Sequence, residues 1–219
     1  MGRHRQHDER TRQALLVAAE RLVAEGGVDA VGVRPAAQGA GTSTRAVYAV
    51  FGSKEGLRQA LARRTFDLLA EQVDTVPLTD DPSEDLVGAA IHGFRAFALE
   101  HPDLFRLFFA ASAARAGIGA EAESAASAAY DRLIQRIQRA HSAGILGNHS
   151  VTEVALLWDA ICCGLAIREV CGMIDQQEAE GIWTRGLRAL LAGLAEVDAP
   201  ALEGSADFRS VVHIAGRSR

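Results

Sequence analysis

The chain has 219 residues, 48% of them apolar and 23% charged, with a formal net charge of −5, so it holds ample material for a packed core. Its first ten residues, MGRHRQHDER, lack an apolar segment, so no secretory signal is expected there. The longest apolar run, residues 154–167, is interrupted by Asp159 and falls short of the about 20 residues that span a bilayer, so a cytoplasmic protein with no membrane part is expected.

No period-2 strand pattern and no Asn-Gly hairpin signal occurs before residue 200, which predicts an all-α fold. Charge is unevenly spread. Residues 1–64 hold 11 Arg and Lys against 6 Asp and Glu, while residues 65–219 hold 12 against 22. An acidic chain with a basic end can still meet a polyanion, because neutralisation depends on local charge.

In chain order, residues 1–9 read as a flexible basic arm carrying Arg3, His4, Arg5 and His7. A helix over residues 8–25 follows, with Leu15, Leu16, Ala19, Leu22 and Val23 on one face and Gly26-Gly27 as its stop. Residues 34–38 form a short helix with Pro35 in its first turn, where the missing N–H costs nothing. Gly39-Ala40-Gly41 breaks it, and Thr42 or Ser43 can cap the next helix through a hydroxyl. Two short helices around a glycine turn form a helix-turn-helix, whose second helix fits the DNA major groove. On that helix Thr44, Arg45 and Tyr48 are expected outward and Val47 and Phe51 inward.

Further matches in order are Thr11-Arg12 at the first helix, the Gly-Gly turn, Ala40-Gly41-x-Ser43, and Tyr48-x-x-Phe51-x-Ser53-Lys54-Glu55-x-Leu57. Over roughly residues 10–64 the chain resembles the head of tetracycline-repressor-type (TetR family) transcriptional regulators. The resemblance implies an N-terminal three-helix helix-turn-helix head, residues 10–56, then a connector helix over 57–76. A C-terminal helical ligand-binding and dimerisation domain over 83–197 would follow. It also implies DNA contacts from Arg34, Ser43, Thr44, Arg45, Ala46, Tyr48 and Lys54. Arg45 suits bidentate bonding to guanine, Ala46 offers only a methyl, Tyr48 suits a phosphate, and Lys54, the only lysine, is a point charge for another. Ala36, Gly39 and Thr42 depart from the usual pattern and predict looser packing of the head.

The connector, with Leu57, Leu61, Leu68 and Leu69 inward, ends at a Pro- and Asp-containing break, residues 76–82. Helices are then expected over 83–100, from 104, over 120–143, over 151–173 and over 177–196. Phe94, Phe97, Phe105, Phe108 and Phe109 cluster within 16 residues. With Trp158 and Cys162 they are candidates to line a cavity for a small apolar effector. The last two helices are candidates for a homodimer interface, which would suit palindromic operator DNA. His101-Pro102-x-Leu104-Phe105 and Leu157-Trp158 through Cys163-Gly164 resemble the Trp-His-Gly type of regulatory domain, with Cys163 where that pattern has His.

Cys162, Cys163 and Cys171 lack CxxC spacing, so no metal site is expected, and no nucleophile–base pair suggests an enzyme. No cofactor is implied. The tail, residues 198–219, reads as poorly structured, with residues 208–214 readable either as a short strand or as a docking segment. The resulting reading is a ligand-responsive DNA-binding regulator, taken as a repressor. The alternatives are a helical dimer or adaptor that does not bind DNA, and a cysteine-based redox-responsive regulator.

Overall fold

The computed structural model describes residues 2–110 and 118–197. Among these every regular element is helical, and the chain divides into two compact units. One comprises the described residues up to Phe66 with those between Asp103 and Ala125; the other comprises those between Asp67 and Pro102 and those from Ala126 on. The expected tail lies outside the described residues.

The first unit opens with α1, Gly2–Ala30, so residues 2–9 are helical where an arm was expected. Its core face is the expected one, with Leu15, Leu16, Ala19 and Val23 buried. The glycine pair interrupts α1 as its composition predicts: Gly27 takes φ 70°, a conformation that a side chain disfavours. After α2 (Val33–Gly39), Gly41 at φ 63° makes the turn and α3 (Thr44–Phe51) begins. The small residues here do not loosen the head. Ala36 and Ala37 are buried, and a Cβ on Gly39 would lie 3.1 Å from that of Ala18, so reduced bulk lets α2 settle closer onto α1.

The helix α4, Lys54–Asp74, starts in this unit. Ser53 Oγ accepts the Gly56 N–H at 2.9 Å and caps its first turn. Leu57, Leu61 and Phe66 are buried. Residues 102–110 form α6, which starts as an α-helix (Pro102–Phe105) and continues in π-helical winding (Arg106–Ala110). Phe66 meets Phe108 and Phe109 with centroids 6.1 and 5.8 Å apart, and Phe105 stacks on Phe109 at 5.4 Å. Arg64 pairs with Glu20, and Arg63 with Glu121 at 3.0 Å.

The second unit begins with the rest of α4. Asp81 then caps α5 by accepting from Ser83 and Glu84 N–H at 2.9 and 3.1 Å. The helix α5, residues 82–100, starts as Pro82–Gly88, passes through a π-helical stretch, Ala89–Arg95, and finishes as Ala96–Glu100. Three long helices complete the unit: α7 (Ala120–Ser142), which crosses from the first unit, α8 (Val151–Val170) and α9 (Gln176–Glu196). Ser150 caps α8 and Asp175 caps α9. Leu86, Phe97, Ile137, Trp158, Trp183 and Leu187 form the heart of the core.

Glu169 is buried in that core. Arg95 donates to it from Nε at 2.9 and 3.1 Å and from Nη2 at 2.8 Å, and Trp183 donates its indole N–H at 2.9 Å. One carboxylate therefore joins α5, α8 and α9. Glu169 hydrogen bonds lead the causes that raise the Arg95 pKa, ahead of the opposing burial.

Candidate nucleic-acid interface and effector region

Helix α3 is seated by its buried side and capped at its start. Val47 is fully buried, and Ser43, in extended backbone, accepts the Ala46 N–H on Oγ at 3.2 Å. Cap and anchor fix the helix, and Gly52 at φ 73° ends it. Thr44, Arg45 and Tyr48 are exposed, Tyr48 to 54%. Ala46 is half-buried. The Ser43 hydroxyl hydrogen remains available for donation while its oxygen caps the helix.

Arg34 is exposed in the first turn of α2, and Lys54 is exposed as the first residue of α4. Neither they nor Arg45 form an ion pair among the described residues, in contrast to Arg63 and Arg64, which are taken up by carboxylates. Arg58 is also engaged, donating to the Val28 carbonyl at 3.0 Å. Arg12 lies 5.5 Å from the centroid of the Phe51 ring, a cation–π contact that ties α1 to the end of α3. Sequence reading singled out Thr11-Arg12 at the first helix but did not foresee this partner.

The seven residues named for an effector fall into two groups. Phe105, Phe108 and Phe109 belong to the first unit and gather around Phe66. Phe94, Phe97, Trp158 and Cys162 belong to the second, where Phe97 lies 5.6 Å from the His101 ring centroid and Trp158 and Cys162 are buried. Phe66 was missed, because it stands off the face that Leu57 and Leu61 mark at helical spacing. The second group adjoins a polar feature on α8: the Cys163 thiol donates to Asp159 Oδ1 at 3.6 Å. Burial, and then the Asp159 charge, push up the pKa of Tyr130 on α7. The Cys162 thiol is pushed well up by burial and then by its neighbours Cys163 and Asp159, so it is a poor thiolate, whereas Cys171 is exposed.

A capped, outward-facing helix in a three-helix head, followed by a mainly helical second unit, defines a helix-turn-helix regulator. The family model for bacterial regulatory proteins of the tetR family matches residues 15–61, and that for the tetracyclin repressor-like C-terminal domain matches residues 87–199. The chain belongs to the TetR family of transcriptional regulators. No curated protein sequence matches it.

Solved structures share the fold. A protein of unknown function from Rhodococcus sp. RHA1 is 26% identical with a TM-score of 0.74, over 85% of this chain and 96% of that one. A tetR-family regulatory protein from Rhodococcus RHA1 is 14% identical with a TM-score of 0.67, over 86% and 98%. RolR, solved with resorcinol, is 22% identical with a TM-score of 0.57, over 89% and 97%. Among the described residues no helix is long and apolar enough to cross a membrane.

Proposed function

We propose that this regulator is a repressor that reads a palindromic operator as a homodimer and releases it on binding a small apolar effector. The observation that carries the reading is the set of cations around α3 that form no ion pair among the described residues: Arg34, Arg45 and Lys54 stand exposed where neighbouring arginines are consumed within the fold. Arg45 then reads a guanine edge, with Thr44 and the Ala46 methyl beside it. Ser43, Tyr48, Arg34 and Lys54 hold phosphates.

Homodimerisation through α8 and α9 is supported by Leu156 and Leu157, which are 39% and 41% exposed on α8. For the effector, the aromatic side chains Phe94, Phe97 and Trp158 with Cys162, and separately Phe105, Phe108 and Phe109, supply the apolar lining. RolR was solved with a small aromatic diol, and a molecule of that size is the class proposed here. A cytoplasmic location follows from the operator. The raised thiol of Cys162 favours this effector reading over a redox trigger at that residue.

The test is selection from random duplex DNA, followed by salt-titrated binding of wild type, Arg45→Ala and Lys54→Ala. Arg45→Ala should lose about 1–3 kcal/mol of discrimination at one base pair, and Lys54→Ala should weaken all sequences and reduce the salt slope by about 1. Recovery of no sequence by the wild type would sink the reading in favour of an adaptor.

A further inference from the structure

Arg12 takes no part in the contacts proposed above. It stands half-buried on α1, and its guanidinium carbon lies over the Phe51 ring, 5.5 Å from the centroid. Asp8 and Glu9 precede it on the same helix at i−4 and i−3, the spacings at which an acid pairs with an arginine. Arg12 nevertheless forms no ion pair and no side-chain hydrogen bond among the described residues, so the ring is the partner that the fold gives it. Arg58, Arg63 and Arg64, in the same unit, end instead on a carbonyl or a carboxylate.

A ring engages only the π face of a guanidinium. The five N–H groups lie in the plane of the fork and remain for another acceptor. Packing one face of a long side chain also restricts its rotamers in advance, so less entropy is lost when a ligand arrives. Phe51 is the last residue of α3, and Gly52 and Ser53 turn the chain into α4. Tyr48 lies one turn before that ring and Lys54 three residues after it, both exposed. The cation is thus seated on the segment whose two flanks hold phosphates in the operator reading.

We propose that Arg12 is a further phosphate-contact residue, held by the Phe51 ring so that the edge of its guanidinium takes a phosphate of the DNA backbone. This rests on the operator-binding reading. Phosphate is the matching acceptor, because the planar fork pairs with two of its oxygens at once.

The test is salt-titrated binding to a short fluorescent duplex of random sequence. Wild type is set beside Arg12→Gln, Arg12→Lys, Phe51→Leu, Lys54→Ala and Arg21→Gln, the last removing an exposed arginine further along α1 as a control for the general field. Arg12→Gln should weaken binding about fivefold to tenfold at about 0.1 M salt and reduce the salt slope by about 1. Arg12→Lys should restore the slope but only part of the affinity. Phe51→Leu should keep the slope and lose affinity, since the charge stays and its seat is gone. A thermal melt of each variant separates these effects from loss of the fold, which would lower the bound fraction without changing the slope. A wild-type slope in Arg12→Gln, or an equal fall in Arg21→Gln, overturns the inference. A reduced slope in Lys54→Ala would then leave the operator reading standing, whereas absence of duplex binding by the wild type overturns both.

Discussion

Trp183 donates its indole N–H to the Glu169 carboxylate at 2.9 Å, deep in the second unit, where the Glu169 side chain is 1% exposed. Because Arg95 grips the same carboxylate, Glu169→Ala strands a guanidinium and an indole N–H together. The expected loss is about 3–5 kcal/mol, read as a fall in the urea midpoint. Glu169→Gln keeps acceptor capacity for Trp183 and should lose less.

Ser43 caps α3, and the proposed operator contact would give it a second, separable duty. Ser43→Ala removes the acceptor for the Ala46 N–H and should cost about 1 kcal/mol, with faster hydrogen exchange at Ala46. Ser43→Asp restores a capping oxygen but sets a negative charge toward phosphate. It should retain near wild-type stability while operator affinity drops, and equal loss of both would show that the side chain serves the fold alone.

Gly93 marks a close approach of α5 to α4. A Cβ there would lie 2.9 Å from Val73 Cγ2 and 3.1 Å from Val73 Cα, and the backbone atom has nowhere to rotate. Gly93→Ala should therefore destabilise by about 1–3 kcal/mol despite alanine's better helix propensity. A thermal melt at or above the wild-type midpoint would contradict the close contact.

Acid should loosen the end of α4. The hydrogen bond from Arg132 leads the causes that hold the Asp74 pKa below 3.8. Asp85 is also lowered: burial opposes its ionisation, but bonds from Thr79 and Arg139 outweigh it. With folded-state values depressed, both carboxylates contribute fully above their unfolded values and lose that contribution as pH falls through the folded ones. Asp74→Asn should thus lower the urea midpoint at about pH 7 and differ less from wild type at about pH 3. A constant difference between the two pH values would exclude the ion pair as its cause.

The head was legible because local chemistry dictates it: a glycine turn, a hydroxyl cap and an apolar face repeat along short stretches. Even Glu169 was signalled, since Trp158, Cys162 and Ala166 place it on the core face of α8, but a carboxylate there reads as an exposed residue until its partners are known. Those partners lie 74 and 14 residues away in sequence. Arg132 and Arg139 were passed over for the same reason. The aromatic cluster divided because its contacts are non-local. Phe66 takes Phe108 and Phe109 into one unit while Phe97 and Trp158 pack in the other, and crowding in sequence does not specify which neighbours a ring finds. Phe94, expected inward, is half-buried beside a π-helical turn that simple 3.6-residue periodicity does not anticipate.

That π-helical turn, Ala89–Arg95, also bears on how the chain tolerates changes in its length. Within a regular α-helix, losing one codon swings everything downstream by about 100° and turns the buried stripe to the outside. Winding with i to i+5 bonds holds surplus residue within the turn. A one-codon deletion there tightens the coil to α-helical winding and leaves Leu86 on one side and Phe97 on the other near their present bearings. Of all the places in α5, this is where a lineage can change the count of residues and keep the same core.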